Sequence, residues 1–173
     1  MHSRVLTLSV LSLILAAALV SGEARSQGDI DALKAEIENL TRQIPDQAHA
    51  MSDVDYHFAN LWFAGQQENW PLAEFYLNET RSHLNWAVRL RPLRKLSNGA
   101  ELDVGAMLKG IEQTSLTELR EAVGRKNKDA FGVAYRKMID SCHGCHTAAE
   151  KPYLRPHIPE APASRMIDFS ARR

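Results

Sequence analysis

The sequence predicts an all-α protein: an antiparallel four-helix bundle with an extra N-terminal helix and a Pro-rich C-terminal extension. Three observations carry this. Apolar residues recur at spacings of three and four through most of the chain, the period of a helix with one buried face. No stretch sustains apolar/polar alternation, and the one Asn-Gly pair, Asn98-Gly99, stands in a basic loop rather than between β-branched runs. Prolines and capping residues punctuate the periodic segments at their ends. A chain of 173 residues is long enough for one domain with its own core.

The N-terminus reads as an export signal. Met1-His2-Ser3-Arg4 is short and basic, Val5 to Val20 is apolar apart from Thr7, Ser9 and Ser12, and small residues follow in VSGEA. The apolar run is shorter than the ~20 residues of a spanning helix, so a cleaved signal over 1–22 is expected, cut after Gly22. The mature domain is then 23–173, outside the cytoplasm, most simply in a periplasm. The formal net charge is zero, and residues 1–22 contribute only Arg4 to it. Such a balance gives no reason to expect nucleic acid or an anionic membrane as partner.

The elements follow in order. In GDIDALKAEIENLTRQIP the residues Ile30, Leu33, Ile37, Leu40 and Ile44 step by three and four up to Pro45, so 29–44 is a helix with a heptad seam. Only about two heptads long, it is expected to lay its stripe on its own domain; a homodimer arm is the alternative. The bundle spans 50–146. Helix A starts near Met51 and runs to about Gly65, with Val54, Phe58, Leu61 and Trp62 on one face. Helix B opens at Asn69-Trp70-Pro71, with Asn69 as N-cap and the proline in the first turn, and stops before Pro92. A basic loop covers 89–99. Helix C carries Val104, Met107, Leu108, Ile111, Leu119 and Val123; helix D carries Phe131, Tyr135, Met138 and Ile139. The tail, 147–173, has four prolines in the fifteen residues 151–165, and reads as an extended strap over the outside.

Helix D ends in CHGCH, which holds the only two cysteines, Cys142 and Cys145, and His146 directly after them. On a helix, positions i, i+3 and i+4 share one side. Two thiols at that spacing match the two vinyl groups of a porphyrin, and the histidine can reach the iron from one face. Cys142 and Cys145 are thus candidate cofactor attachments for one covalent haem c, and His146 the candidate ligand of its iron. Two rivals were weighed. Zinc wants four tetrahedral donors, usually as two separated pairs, and five consecutive residues supply them only with strain. A redox dithiol of thioredoxin type follows a strand and opens a helix, whereas this pair closes one.

A secreted helical chain of this size, with a single CHGCH closing its last helix, resembles the cytochrome c′ class of four-helix-bundle monohaem cytochromes, which includes low-spin six-coordinate relatives. The likeness covers 50–146, and the heptad helix and Pro-rich tail depart from it. NLWFAGQQENWPLAEFYLNE, residues 60–79, also has the look of a smaller group of periplasmic cytochromes. The resemblance implies a haem at the end of the bundle where helix D finishes, its far face covered from helix A.

Four arrangements stand for the sixth iron position: Met51, His57, Met107, or a vacancy walled by Val54 or Phe58. Methionine there raises the reduction potential and a second imidazole lowers it. The basic residues Arg89, Arg91, Arg94 and Lys95 fall at the same end, as do Lys151 and Arg155, and could meet haem propionates or an acidic redox partner. The reading that follows is a periplasmic electron carrier, not an enzyme, passing electrons between redox partner proteins. The alternative is a five-coordinate haem protein that binds or senses a small gas such as NO or CO.

Overall fold

The computed structural model describes residues 27–171; the expected signal segment lies outside them. The chain divides into two compact units, Met1–Pro45 and Asp46–Arg173. In the first, residues 27–43 form helix α1. Along it and just after it, Ile30, Leu33, Ile37, Leu40 and Ile44 are all 45–62 % exposed.

The second unit is mostly helical: four helices, one of them bent, and one small hairpin. Helix α2 is Gln47–Gln66, α3 is Trp70–Leu90, and the strands β1 (Leu93–Lys95) and β2 (Glu101–Asp103) come next. Then follow α4 (Val104–Gln113), α5 (Ser115–Gly124) and α6 (Lys128–Ala148). Helix α2 begins earlier than the apolar pattern predicts, because the Asp46 carboxylate accepts from the His49 N–H and starts it. Asn69 caps α3 as expected, accepting from the Leu72 N–H, with Pro71 in the first turn. Asp103 and Asn127 cap α4 and α6 in the same way.

Two expectations need correction. The basic loop is in part a β-hairpin, with Leu93 opposite Asp103 and Lys95 opposite Glu101 in antiparallel register. Asn98-Gly99 forms its turn: Gly99 sits at φ 86°, and the Asn98 side chain accepts from the Ala100 N–H. The strands are three residues each, too short to show alternation. The predicted helix C is also broken, at Thr114 (φ −119°, ψ −101°). Thr114 donates its hydroxyl to the Gly110 carbonyl and Thr117 donates to that of Glu112. These threonines satisfy carbonyls that a straight helix would have bonded to its own N–H groups. The bend delivers buried Ser115 to α6, where its hydroxyl meets those of Ser141 and the sulfur of Met138.

The core is built where α6 crosses α2. Phe131, Tyr135, Leu61 and Leu119 are fully buried, and each contributes about 1.5–3 kcal/mol by leaving water. The rings of Phe58 and Tyr135 stack at 4.3 Å, 8° from parallel, and the Tyr135 hydroxyl donates to the Phe58 carbonyl at 2.9 Å. One turn away, Phe131 lies over Gly65, where a Cβ would stand 2.3 Å from its ring. Since Phe131 meets the end of α2 and Tyr135 its middle, the two helices run in opposite directions.

Three helices end in one way. Glu68, Lys126 and Glu150 have φ between 53° and 60°, each one residue beyond a helix cap. At the end of α6, Glu150 N–H donates to Thr147 and Lys151 N–H reaches back to His146. This is the Schellman arrangement, repeated after α2 and α5 by residues 68–69 and 126–127. Glycine normally fills that left-handed position, and here non-glycine residues hold it at some strain.

Gly65→Ala is expected to cost about 2–3 kcal/mol, because Phe131 or α2 must move to admit a methyl group. Lys126→Gly should instead stabilise the fold by about 0.5–1 kcal/mol by removing left-handed strain. Denaturant unfolding monitored by circular dichroism checks both.

Candidate functional site

Cys142, Cys145 and His146 lie in the last turns of α6, before its cap at Ala149. Spacing on an intact helix brings the three side chains to one side of it. All three are half-buried, and Cys142 packs against the hydrophobic core. The Schellman turn then reverses the chain. Leu154 N–H bonds back to the Lys151 carbonyl, and the turned segment presents two carbonyls to the helix end. That of Leu154 accepts from His146 Nδ1 at 2.8 Å, and that of Pro152 from His143 Nε2 at 3.2 Å.

A carbonyl oxygen can only accept, so it assigns the tautomer. His146 carries its proton on Nδ1, and its Nε2 keeps a lone pair for an electrophile. Outer hydrogen bonds of this kind orient metal-bound imidazoles and raise their basicity. His143, held by Pro152 and lying off the face shared by its neighbours, does not complete a four-donor zinc set. The thiols argue against a redox couple. Burial, and then the neighbouring Cys145, pushes the Cys142 thiol up to about 12, and burial raises Cys145 too. A reactive dithiol needs a lowered value and usually a helix N-terminus, whereas this pair sits at the negative end of α6. As donors, two thiols and one oriented imidazole on a single side fit a haem bound through two thioethers and one nitrogen.

The surroundings agree in part with the sequence reading. The hairpin reaches the end of α6: the Ser97 backbone N–H donates to the Glu150 carboxylate at 2.9 Å, and the Ser97 hydroxyl donates to its other oxygen. Those two bonds hold the Glu150 carboxyl below its usual range, and Arg94 adds to the effect. Arg94 also donates to Gln47 at the start of α2. The basic residues are thus at the same end as Cys142, as their position predicts. Met51 and Met107 are half-buried on α2 and α4. His57 is engaged with α3, stacked on His83 at 4.7 Å and beside Tyr76 at 6.0 Å.

The tail runs on as the expected strap, with no helix or strand in 151–171. Ser164 N–H donates to the buried Asn60 side chain, Phe169 stacks on Tyr76, and the Ser170 carbonyl accepts from Asn69. Sequence reasoning missed the Leu154 carbonyl, because a backbone acceptor leaves no trace in side-chain identity. By sequence His83 reads as an ordinary surface or boundary residue, although Glu79 and His83 show the four-residue spacing of a helical pair.

Comparison with family models, with curated proteins and with solved structures finds no match to this chain. Among the described residues no helix is long and apolar enough to cross a membrane.

In the haem-free folded chain, iodoacetamide at pH 8 should label Cys145 well before Cys142. A thiol near 12 is about one part in ten thousand thiolate at that pH. Labelling in guanidinium should remove the difference, and peptide mass mapping over time checks it.

Proposed function

We propose that this chain is an exported, periplasmic monohaem cytochrome of the cytochrome c′ type that carries electrons. In this reading the four helices form an antiparallel bundle, Cys142 and Cys145 hold one haem c by thioether links, and His146 supplies one axial nitrogen. The observation that carries it is the hydrogen bond from His146 Nδ1 to Leu154. It leaves Nε2 available beside two thiols at attachment spacing.

The bound haem supplies a one-electron exchange between ferric and ferrous iron. The protein's share is positioning and exclusion. Leu154 keeps the imidazole in one tautomer and one orientation. The packed rings of Phe58 and Tyr135 and the aliphatic core next to Cys142 keep water from that side of the helix. The hairpin, tied to Glu150, brings Arg94 and Lys95 to the end where a haem edge would face solvent. A cationic rim there would pair with propionates and with an acidic redox protein. In this reading the chain is a carrier and not an enzyme. Its partners are redox proteins rather than nucleic acid or membrane. The exposed Ile/Leu seam of α1 suits a second copy of itself.

Expression with export, in a host that attaches haem to exported chains, tests the reading. The expected product is coloured and heavier by one haem that acid extraction does not remove. Cys142→Ser with Cys145→Ser should be colourless. Adding carbon monoxide to the ferrous protein should leave sharp low-spin bands unchanged, and Met51→Ala should make the protein responsive if methionine fills the sixth position. A wild-type chain that is already high-spin and shifts with the gas would replace the carrier by the gas binder. A colourless wild-type chain with both thiols free would end both readings.

A further inference from the structure

The seam between α2 and α3 gathers a second set of donors. Asp53 and His57 stand four residues apart on α2, and Glu79 and His83 four apart on α3, so each pair occupies one face of its helix. The donor atoms of His57, Glu79 and His83 lie within 4.8 Å of one another. The two imidazoles stack with centroids 4.7 Å apart, and Asp53 Oδ2 is 3.8 Å from His83 Nε2.

The protons can be placed. His83 Nδ1 lies 2.9 Å from the Glu79 carbonyl and donates to it, while its Nε2 faces Asp53. His57 Nδ1 is buried with no hydrogen-bond partner, a costly state for a polar atom inside a helix seam. Two imidazoles and the Glu79 carboxylate therefore share one small volume, with Asp53 beside His83.

We propose that His57, His83 and Glu79, with Asp53 at the edge, form a binding site for a divalent transition ion of the zinc type. Imidazole and carboxylate donors are the set that such ions prefer, and His₂Glu is a recurring zinc triad. Donors on a tetrahedral zinc stand about 3.3 Å apart, given zinc–nitrogen bonds of about 2.0–2.1 Å. Closing the present spacing requires the two stacked rings to turn so that one nitrogen of each faces a common point. The bond from His83 Nδ1 to the Glu79 carbonyl is the outer contact that fixes the ring for coordination. The ion would satisfy His57 and clamp α2 to α3. The site does not depend on haem at Cys142.

Zinc sulfate titrated calorimetrically into the mature chain, with Cys142 and Cys145 alkylated or already in thioether links, tests this. One site of micromolar or tighter affinity is expected. His83→Ala and Glu79→Gln should each weaken it at least tenfold, while His157→Ala, on the exposed tail, should leave it unchanged. Zinc should raise the melting temperature of the wild type and not of His83→Ala, whose helical circular dichroism reports that it still folds. Affinity unchanged in both seam variants, or weaker than millimolar in the wild type, overturns the proposal. So does binding that disappears only when the thiols are blocked, since the ion would then sit on the cysteines.

Discussion

The contact on which the rest depends is the crossing of α6 over α2. Tyr135 cannot slide along α2, because its ring is stacked on Phe58 while its hydroxyl is bonded to the Phe58 carbonyl. Phe131, a turn earlier, fits only where Gly65 leaves room. A stacked ring, a directional bond and a steric notch together set one register. With that register set, helical rise carries Cys142 to the opposite end of α6 from Phe131, toward the N-terminal half of α2. The position of the thiols is thus decided about two turns away from them.

Much of this was legible because it depends on side-chain chemistry repeated at helical spacing. Asn69, Pro71 and Pro92 announce the limits of α3, and the CHGCH spacing announces that Cys142, Cys145 and His146 share one side of α6. What could not be read depends on backbone. The bend at Thr114 has no proline or glycine to betray it; it arises from hydroxyls competing for carbonyls four and five residues back. The hairpin is too short for an alternating pattern, and only Asn98-Gly99 hints at it. The carbonyl of Leu154 could have belonged to any residue. The partner of the α1 stripe was not legible for another reason: periodicity reports that a face is apolar, not what covers it.

The two donor groups differ in how they are held, and the difference follows from chain topology. His146 and the thiols sit on a single helix, and their orientation comes from a turn only a few residues downstream. The seam donors come in pairs from two antiparallel neighbours, so their spacing reports directly on how α2 and α3 pack. His57, a candidate for the iron by its place on α2, stacks on His83 in this seam. One imidazole can serve only one of these centres in a given rotamer.

The Schellman turn after α6 also has a temporal consequence. The carbonyl that orients His146 belongs to a residue eight positions later, so during synthesis the ring is unrestrained until that turn has emerged. The thiols and the imidazole therefore pass through a stage in which all three are mobile and accessible. They lose that freedom only when the reversed segment closes over them and Ser164 and Phe169 anchor it to the far helices. Any covalent modification of the two sulfurs has its easiest moment in that interval, before the last twenty-odd residues have docked.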